Sequence, residues 1–167
     1  GFDIAVKALI RLKKRGFTNF IFEIVGGGKN EKLERMVQDF GLQKNVIFIG
    51  TKSFPTGIFN WLDTVDIYMH PSRVESMPRS LMEAMSRGCF CVGSRVGGIP
   101  DLLDKEYLHS IDDDLELSLL IEKGFSKEYR EDAIRRSFNR IRSFDSELLN
   151  KKRDMFYKKA IEISQEI

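Results

Sequence analysis

Asp66-Ile67-Tyr68-Met69-His70-Pro71-Ser72-Arg73-Val74-Glu75-Ser76-Met77-Pro78-Arg79-Ser80-Leu81-Met82-Glu83-Ala84-Met85-Ser86-Arg87-Gly88-Cys89-Phe90-Cys91-Val92-Gly93 packs a strand, a polar loop, a helix and a second strand into one stretch of chain. Ile67 to His70 is short and apolar enough for a strand. Pro71 to Pro78 is the loop. Residues 79–87 carry a helical pattern that Gly88 ends, and Phe90 to Gly93 is the next strand. Pro78 suits the first turn of that helix, where its missing N–H costs nothing.

The same alternation runs upstream. Phe20 to Val25 is a nearly continuous apolar run between Asn19 and Gly26, as expected of a parallel-sheet strand buried on both faces. Gly26-Gly27-Gly28 leads into a helix predicted over 31–40, with Leu33, Met36, Val37 and Phe40 inward. Val46 to Ile49 is a further strand, followed by a Gly50-to-Gly57 loop and a helix near 57–64 carrying Ile58, Trp61 and Leu62. The chain opens on a helix with Ile4, Ala5, Ala8, Leu9 and Leu12 on one face and Lys7, Arg11 and Lys14 on the other. Asp3 is its candidate N-cap and Gly16 its candidate C′ residue.

Strand, loop and helix recur about every 20–25 residues, the signature of βαβ units and a parallel doubly wound sheet. From about residue 112 only helices are predicted, over 113–124, 126–141 and 145–165. The last places Leu149, Phe156, Ala160, Ile163 and Ile167 on one face. The expectation is an α/β, Rossmann-like domain over 1–167 with a helical tail at 112–167.

Composition bounds the function. A chain of 167 residues suits one domain. With 27 basic against 25 acidic residues the net charge is +2 and the pI near 8.5, which makes no electrostatic case for a nucleic-acid partner. Cys89 and Cys91 flank a buried strand, read as packing residues, and are too few for a zinc site. No apolar run approaches the ~20 residues of a membrane span, and no leader pattern is visible. These features exclude a spanning protein and a disulfide scaffold. They leave a cytoplasmic domain as the expectation.

In open α/β sheets ligands bind beyond the carboxyl ends of the strands. The loops at such ends are Gly26 to Lys29, Gly50 to Phe54, His70 to Pro78, and Arg95 to Gly98. The triple glycine lets backbone approach a ligand closely, or it is simply a tight turn. It lacks the dinucleotide fingerprint, having Val46, Ile47 and Phe48 where an acid belongs. The helix after Pro78 offers unpaired amides at Arg79, Ser80 and Leu81, a ready anion site. Glu75 could hold sugar hydroxyls or a developing positive charge, and Glu83 could accept two hydrogen bonds from a ribose diol. Alternatively both acids merely complement the helix dipole. Arg79 is a phosphate contact or a solvated residue. His70 and His109, the latter in a late loop, have no partner at metal spacing. The basic runs at 11–15, 135–136 and 151–153 read as solvated faces, with weak contact to an anionic membrane surface as the minority reading.

Glu75 and Glu83 are separated by seven residues, and Ala84, Met85, Gly88 and then Gly97-Gly98-Ile99-Pro100 follow. This spelling resembles the C-terminal, donor-binding domain of retaining GT-B glycosyltransferases, the large glycosyltransferase family 4. Gly1-Phe2-Asp3, Ile24-Val25-Gly26-Gly27-Gly28, Val46 to Gly50, Asp66 to Ser72, Phe144-Asp145 and Tyr157 extend the resemblance over nearly the whole chain. Ser76 stands where the family has Gly, and Asp101 where Glu is commoner.

The resemblance implies that this domain binds a nucleoside diphosphate sugar. Glu75 would act catalytically beside the reacting carbon of the transferred sugar, and Glu83 would bind the ribose. Backbone amides at Met77, Pro78, Arg79, Ser80 and Leu81 would hold sugar and phosphate. Gly26 and Gly27 would line the nucleotide, and Thr51, Lys52 and Ser53, with Phe54, would contact the base. It implies transfer of a hexose with retention, onto a sugar or lipid-linked acceptor of cell-surface polysaccharide synthesis. No metal or cofactor is needed, and the parent enzyme could lie peripheral to the inner membrane face. A sugar-nucleotide epimerase of related fold and a non-catalytic binding module are the rival readings.

By the same resemblance, the acceptor domain, the central strand and the basic clamp on the diphosphate lie upstream of Gly1. The chain alone is then expected to be catalytically silent. In a sheet ordered 3-2-1-4-5-6, the strands at 20–25 and 67–70 should flank a gap of about two strand spacings, roughly 9–10 Å. Upstream residues, a strand lent by another copy, or direct closure would deal with that gap.

Overall fold

The computed structural model describes residues 1–165; Ile167, expected on the last helical face, lies outside them. The chain runs α1 (Phe2–Lys14), β1 (Phe22–Val25), α2 (Glu31–Asp39), β2 (Val46–Gly50), α3 (Thr56–Leu62), β3 (Ile67–His70), α4 (Arg79–Ser86), β4 (Phe90–Ser94), α5 (Ile99–Leu102), β5 (Leu108–His109), α6 (Asp114–Lys123), α7 (Lys127–Ile141) and α8 (Ser146–Gln165). All strand pairs are parallel, as the strand–helix alternation predicts.

The strands form two separate sheets, β1-β2 and β3-β4-β5. β1 and β3 do not close onto each other, and no described segment runs between them. A cavity of about 1140 Å³ separates the two sheets, walled by Phe22, Glu23 and Val25 of β1, Ile58 and Trp61 of α3, and Ile67, Tyr68 and Met69 of β3. Ala5 and Leu9 of α1 also line it. The Phe22 amide donates to the Asn45 carbonyl and the Gly26 amide to the Gly50 carbonyl. Strand alternation therefore turns the amides of Glu23 and Val25 away from β2 and into the cavity. Likewise the Phe90 amide donates to the Asp66 carbonyl, which leaves Ile67 and Met69 facing the cavity. This corrects the reading of 20–25 as buried on both faces: only Ile24 of β1 is buried, and Ile21 is exposed.

Elsewhere β4 is the sheet's centre, with every residue buried. Phe90 meets Tyr107 and Tyr129 edge to face at 5.7 Å. Burying a side chain of this size contributes about 1.5–3 kcal/mol. Gly124 lets the end of α6 lie on the Phe90 ring, since a Cβ there would come within 2.6 Å of it. Cys89 and Cys91 are free and buried, and burial pushes both thiols up, Cys89 to about 11.

Several local expectations change. Gly1, not Asp3, caps α1. Gly16 holds the expected C′ place at φ +94°, with the Gly16 amide on the Lys13 carbonyl and the Phe17 amide on that of Leu12. Phe40 follows the end of α2 and is half exposed instead of inward. His109 belongs to the short β5 and is buried; burial lowers the pKa of its ring, and its Nε2 has no partner among the described residues. Arg11 and Arg15 are not simply solvated: they pair with Asp114 and Glu122 and tie α1 to α6. The apolar face of α8, with Leu149, Phe156 and Ile163, is exposed. No described helix is long and apolar enough to cross a membrane.

Candidate active site

The loop from Pro71 to Pro78 leaves the carboxyl end of β3 and delivers α4. Pro78 stands at the N-cap and not in the first turn. Its carbonyl accepts from the amides of both Leu81 and Met82. The Leu81 amide is therefore not open, its side chain is fully buried, and Pro78 has no amide to give. The amides of Arg79 and Ser80 remain as the helix's unpaired donors among the described residues.

Glu75, Met77, Pro78, Arg79, Ser80 and Glu83, together with Phe54, line one hollow of about 420 Å³. Ser80 and Glu83 also line the large cavity, so the two spaces meet at α4. Gly26, Gly27, Thr51, Lys52 and Ser53 do not line this hollow. They sit on the β1 and β2 side, where Gly27 lies against Thr51: a Cβ on Gly27 would meet the Thr51 methyl at 3.3 Å. The two loops thus form one neighbouring rim.

Glu75 is held in place. Its Oε2 lies 2.8 Å from His70 Nε2 and its Oε1 accepts from the Ser76 amide at 3.1 Å. The His70 hydrogen bond, then the Ser76 amide, keep its carboxyl below the usual carboxylate range against the opposing effect of burial. An ionised carboxylate only accepts, so His70 donates from Nε2. Within β3, burial raises the Tyr68 phenol to about 12.

Two supports of this loop were not singled out as site residues from the sequence. The Gly98 amide donates to the Ser76 carbonyl at 2.6 Å, and Gly97 packs directly on the Glu75 backbone. Arg73 clamps Asp3 through two bonds at 3.0 and 2.7 Å and Asp112 through one at 2.6 Å. The Arg73 guanidinium holds the Asp3 carboxyl at about 2. The Gly-Gly spelling and an arginine beside Glu75 were visible; their contacts, far along the chain, were not.

Residues 1–138 match the sequence pattern of the family described as glycosyl transferases group 1. The chain belongs to that family. It is 32% identical over 165 residues to protein CapJ of Staphylococcus aureus, covering 96% of this chain and 42% of CapJ. It is 34% identical over 111 residues to the amylovoran biosynthesis glycosyltransferase AmsK of Erwinia amylovora, covering 62% of this chain and 27% of AmsK. In fold it resembles HepE of Anabaena, solved with UDP and glucose, at TM-score 0.79 and 19% identity, over 96% of this chain and 44% of HepE. The chain thus spans less than half the length of each of these proteins. Membership of the group 1 transferases favours the transferase reading over the epimerase one.

Proposed function

We propose that the chain is the donor-binding domain of a retaining glycosyltransferase that moves a hexose from a nucleoside diphosphate onto a sugar or lipid-linked acceptor in polysaccharide synthesis. The observation that carries this reading is the hollow that brings a pinned, ionised Glu75, the open amides of Arg79 and Ser80, and Glu83 together at one helix start. An anionic diphosphate fits the amides and the positive end of the α4 dipole. Glu83, one turn further on, has the acceptor atoms a ribose diol needs. Phe54, in the lining of the same hollow, supplies an exposed ring beside which a base can lie.

In the mechanism that follows, the amides stabilise charge as it builds on the departing diphosphate. Glu75, fixed as an anion, faces the anomeric carbon as positive charge develops there. The reading assigns no general base, metal or resident cofactor to these residues. The acceptor is assigned to a further domain, as the chain's short span of CapJ and HepE suggests.

Calorimetric titration of the chain with UDP, GDP and ADP sugars tests the reading. It expects one of the three bases to bind, and that binding to weaken in Glu83→Ala. No binding of any, or binding indifferent to both Glu75 and Glu83, would overturn it.

A further inference from the structure

We propose that His70 is a positioning residue: it fixes the plane of the Glu75 carboxylate toward the donor hollow, and so governs sugar binding without touching the sugar. This rests on the reading of Glu75 as the group that faces the transferred sugar.

The geometry supports each part. Glu75 sits in a loop, where nothing in regular secondary structure limits its side chain. The Ser76 amide holds one carboxylate oxygen, which alone leaves the group free to turn about that contact. His70 holds the other oxygen at 2.8 Å, and two donors on two oxygens define the plane. The remaining lone pairs then point in fixed directions, the condition for a preorganised site.

His70 is itself held on rigid structure. It closes β3, in parallel register with Gly93 of the buried β4. Its ring stacks on Tyr68 at 6.2 Å and 21°, and Tyr68 packs against the hydrophobic core. The His70 side chain is 13% exposed against 23% for Glu75. Glu75 lines the hollow and His70 does not. The histidine therefore acts from behind the carboxylate.

Two measurements on the chain test this. The first follows the Glu75 side-chain carboxylate by carbon NMR through an acid titration, with no ligand present. His70→Ala should move its midpoint up toward the ordinary glutamate value, and an unmoved midpoint overturns the proposal. The second compares affinity for UDP-glucose with affinity for UDP, or the GDP or ADP pair if the chain prefers that base. His70→Ala should cut the sugar-dependent gain by about tenfold while nucleotide affinity stays within about twofold. His70→Gln, whose amide nitrogen reaches the Nε2 position, should restore most of the gain. If Glu75→Ala loses the gain and His70→Ala keeps it, the proposal fails and the role of Glu75 stands. If Glu75→Ala also keeps it, the sugar-facing reading itself has failed.

Discussion

A Cβ on Gly97 would stand 1.9 Å from the carbonyl oxygen of Glu75. No side chain fits there, and the glycine also holds φ at +54°, a conformation L residues rarely adopt. Gly97→Ala should therefore push the Glu75 backbone off the loop's floor. The expected cost is about 1–3 kcal/mol of stability, read by denaturant melts, together with weaker binding of a nucleotide sugar. A variant that melts and binds like the parent would show that Glu75 does not depend on this contact.

Glu83 offers a cleaner probe, since it is partly exposed and lines the hollow with its side chain bonded to no described residue. Glu83→Ala should lower nucleotide affinity by about 1–3 kcal/mol, and Glu83→Gln should keep part of it. Equal affinity in both variants, with unchanged melts, would return Glu83 to a dipole-complementing role.

Acid should loosen the Arg73 clamp. Asp3 has its pKa lowered from 3.8 to about 2, so its contribution is full above 3.8 and lost as pH falls through 2. Its side chain is 41% exposed, so the loss is that of a surface pair, about 0.2–1 kcal/mol. Melts between pH 4 and pH 2 should fall less steeply in Arg73→Ala than in the parent. Parallel slopes would remove Arg73 from the account.

The cavity between β1 and β3 should show in amide exchange. Glu23, Val25, Ile67 and Met69 turn their amides into it, while the Phe22 and Gly26 amides donate toward β2. The cavity-facing amides should exchange much faster than those facing β2 and β4. Equal protection on both sides would mean that another strand, or a second copy, occupies the cavity in solution.

The strand–helix alternation was legible because parallel strands are short apolar runs and each helix keeps its own period; the β3 range was read to the residue. β5 escaped because two residues carry no period at all. Glu75 and Glu83 were legible as a pair since they flank a helix start. What makes Glu75 rigid was not, because Gly97, Gly98 and His70 reach it through tertiary approach, and spacing encodes none of those distances. The Leu81 amide is closed for a local reason: the first turn of α4 is tight, and the Pro78 carbonyl takes the donor three residues on as well as that of Met82. Arg11 and Arg15 find their acids about a hundred residues away, beyond any sequence window.

The central claim is that a nucleoside diphosphate sugar sits at the start of α4, and amide NMR of the chain during titration with UDP-, GDP- and ADP-glucose tests it most directly. The account predicts that one of them shifts Met77, Arg79 and Ser80 together with Gly97, while Leu81, whose amide is already bonded, moves least among the α4 start. Shifts confined to other faces of the protein, or none with any of the three, would contradict it.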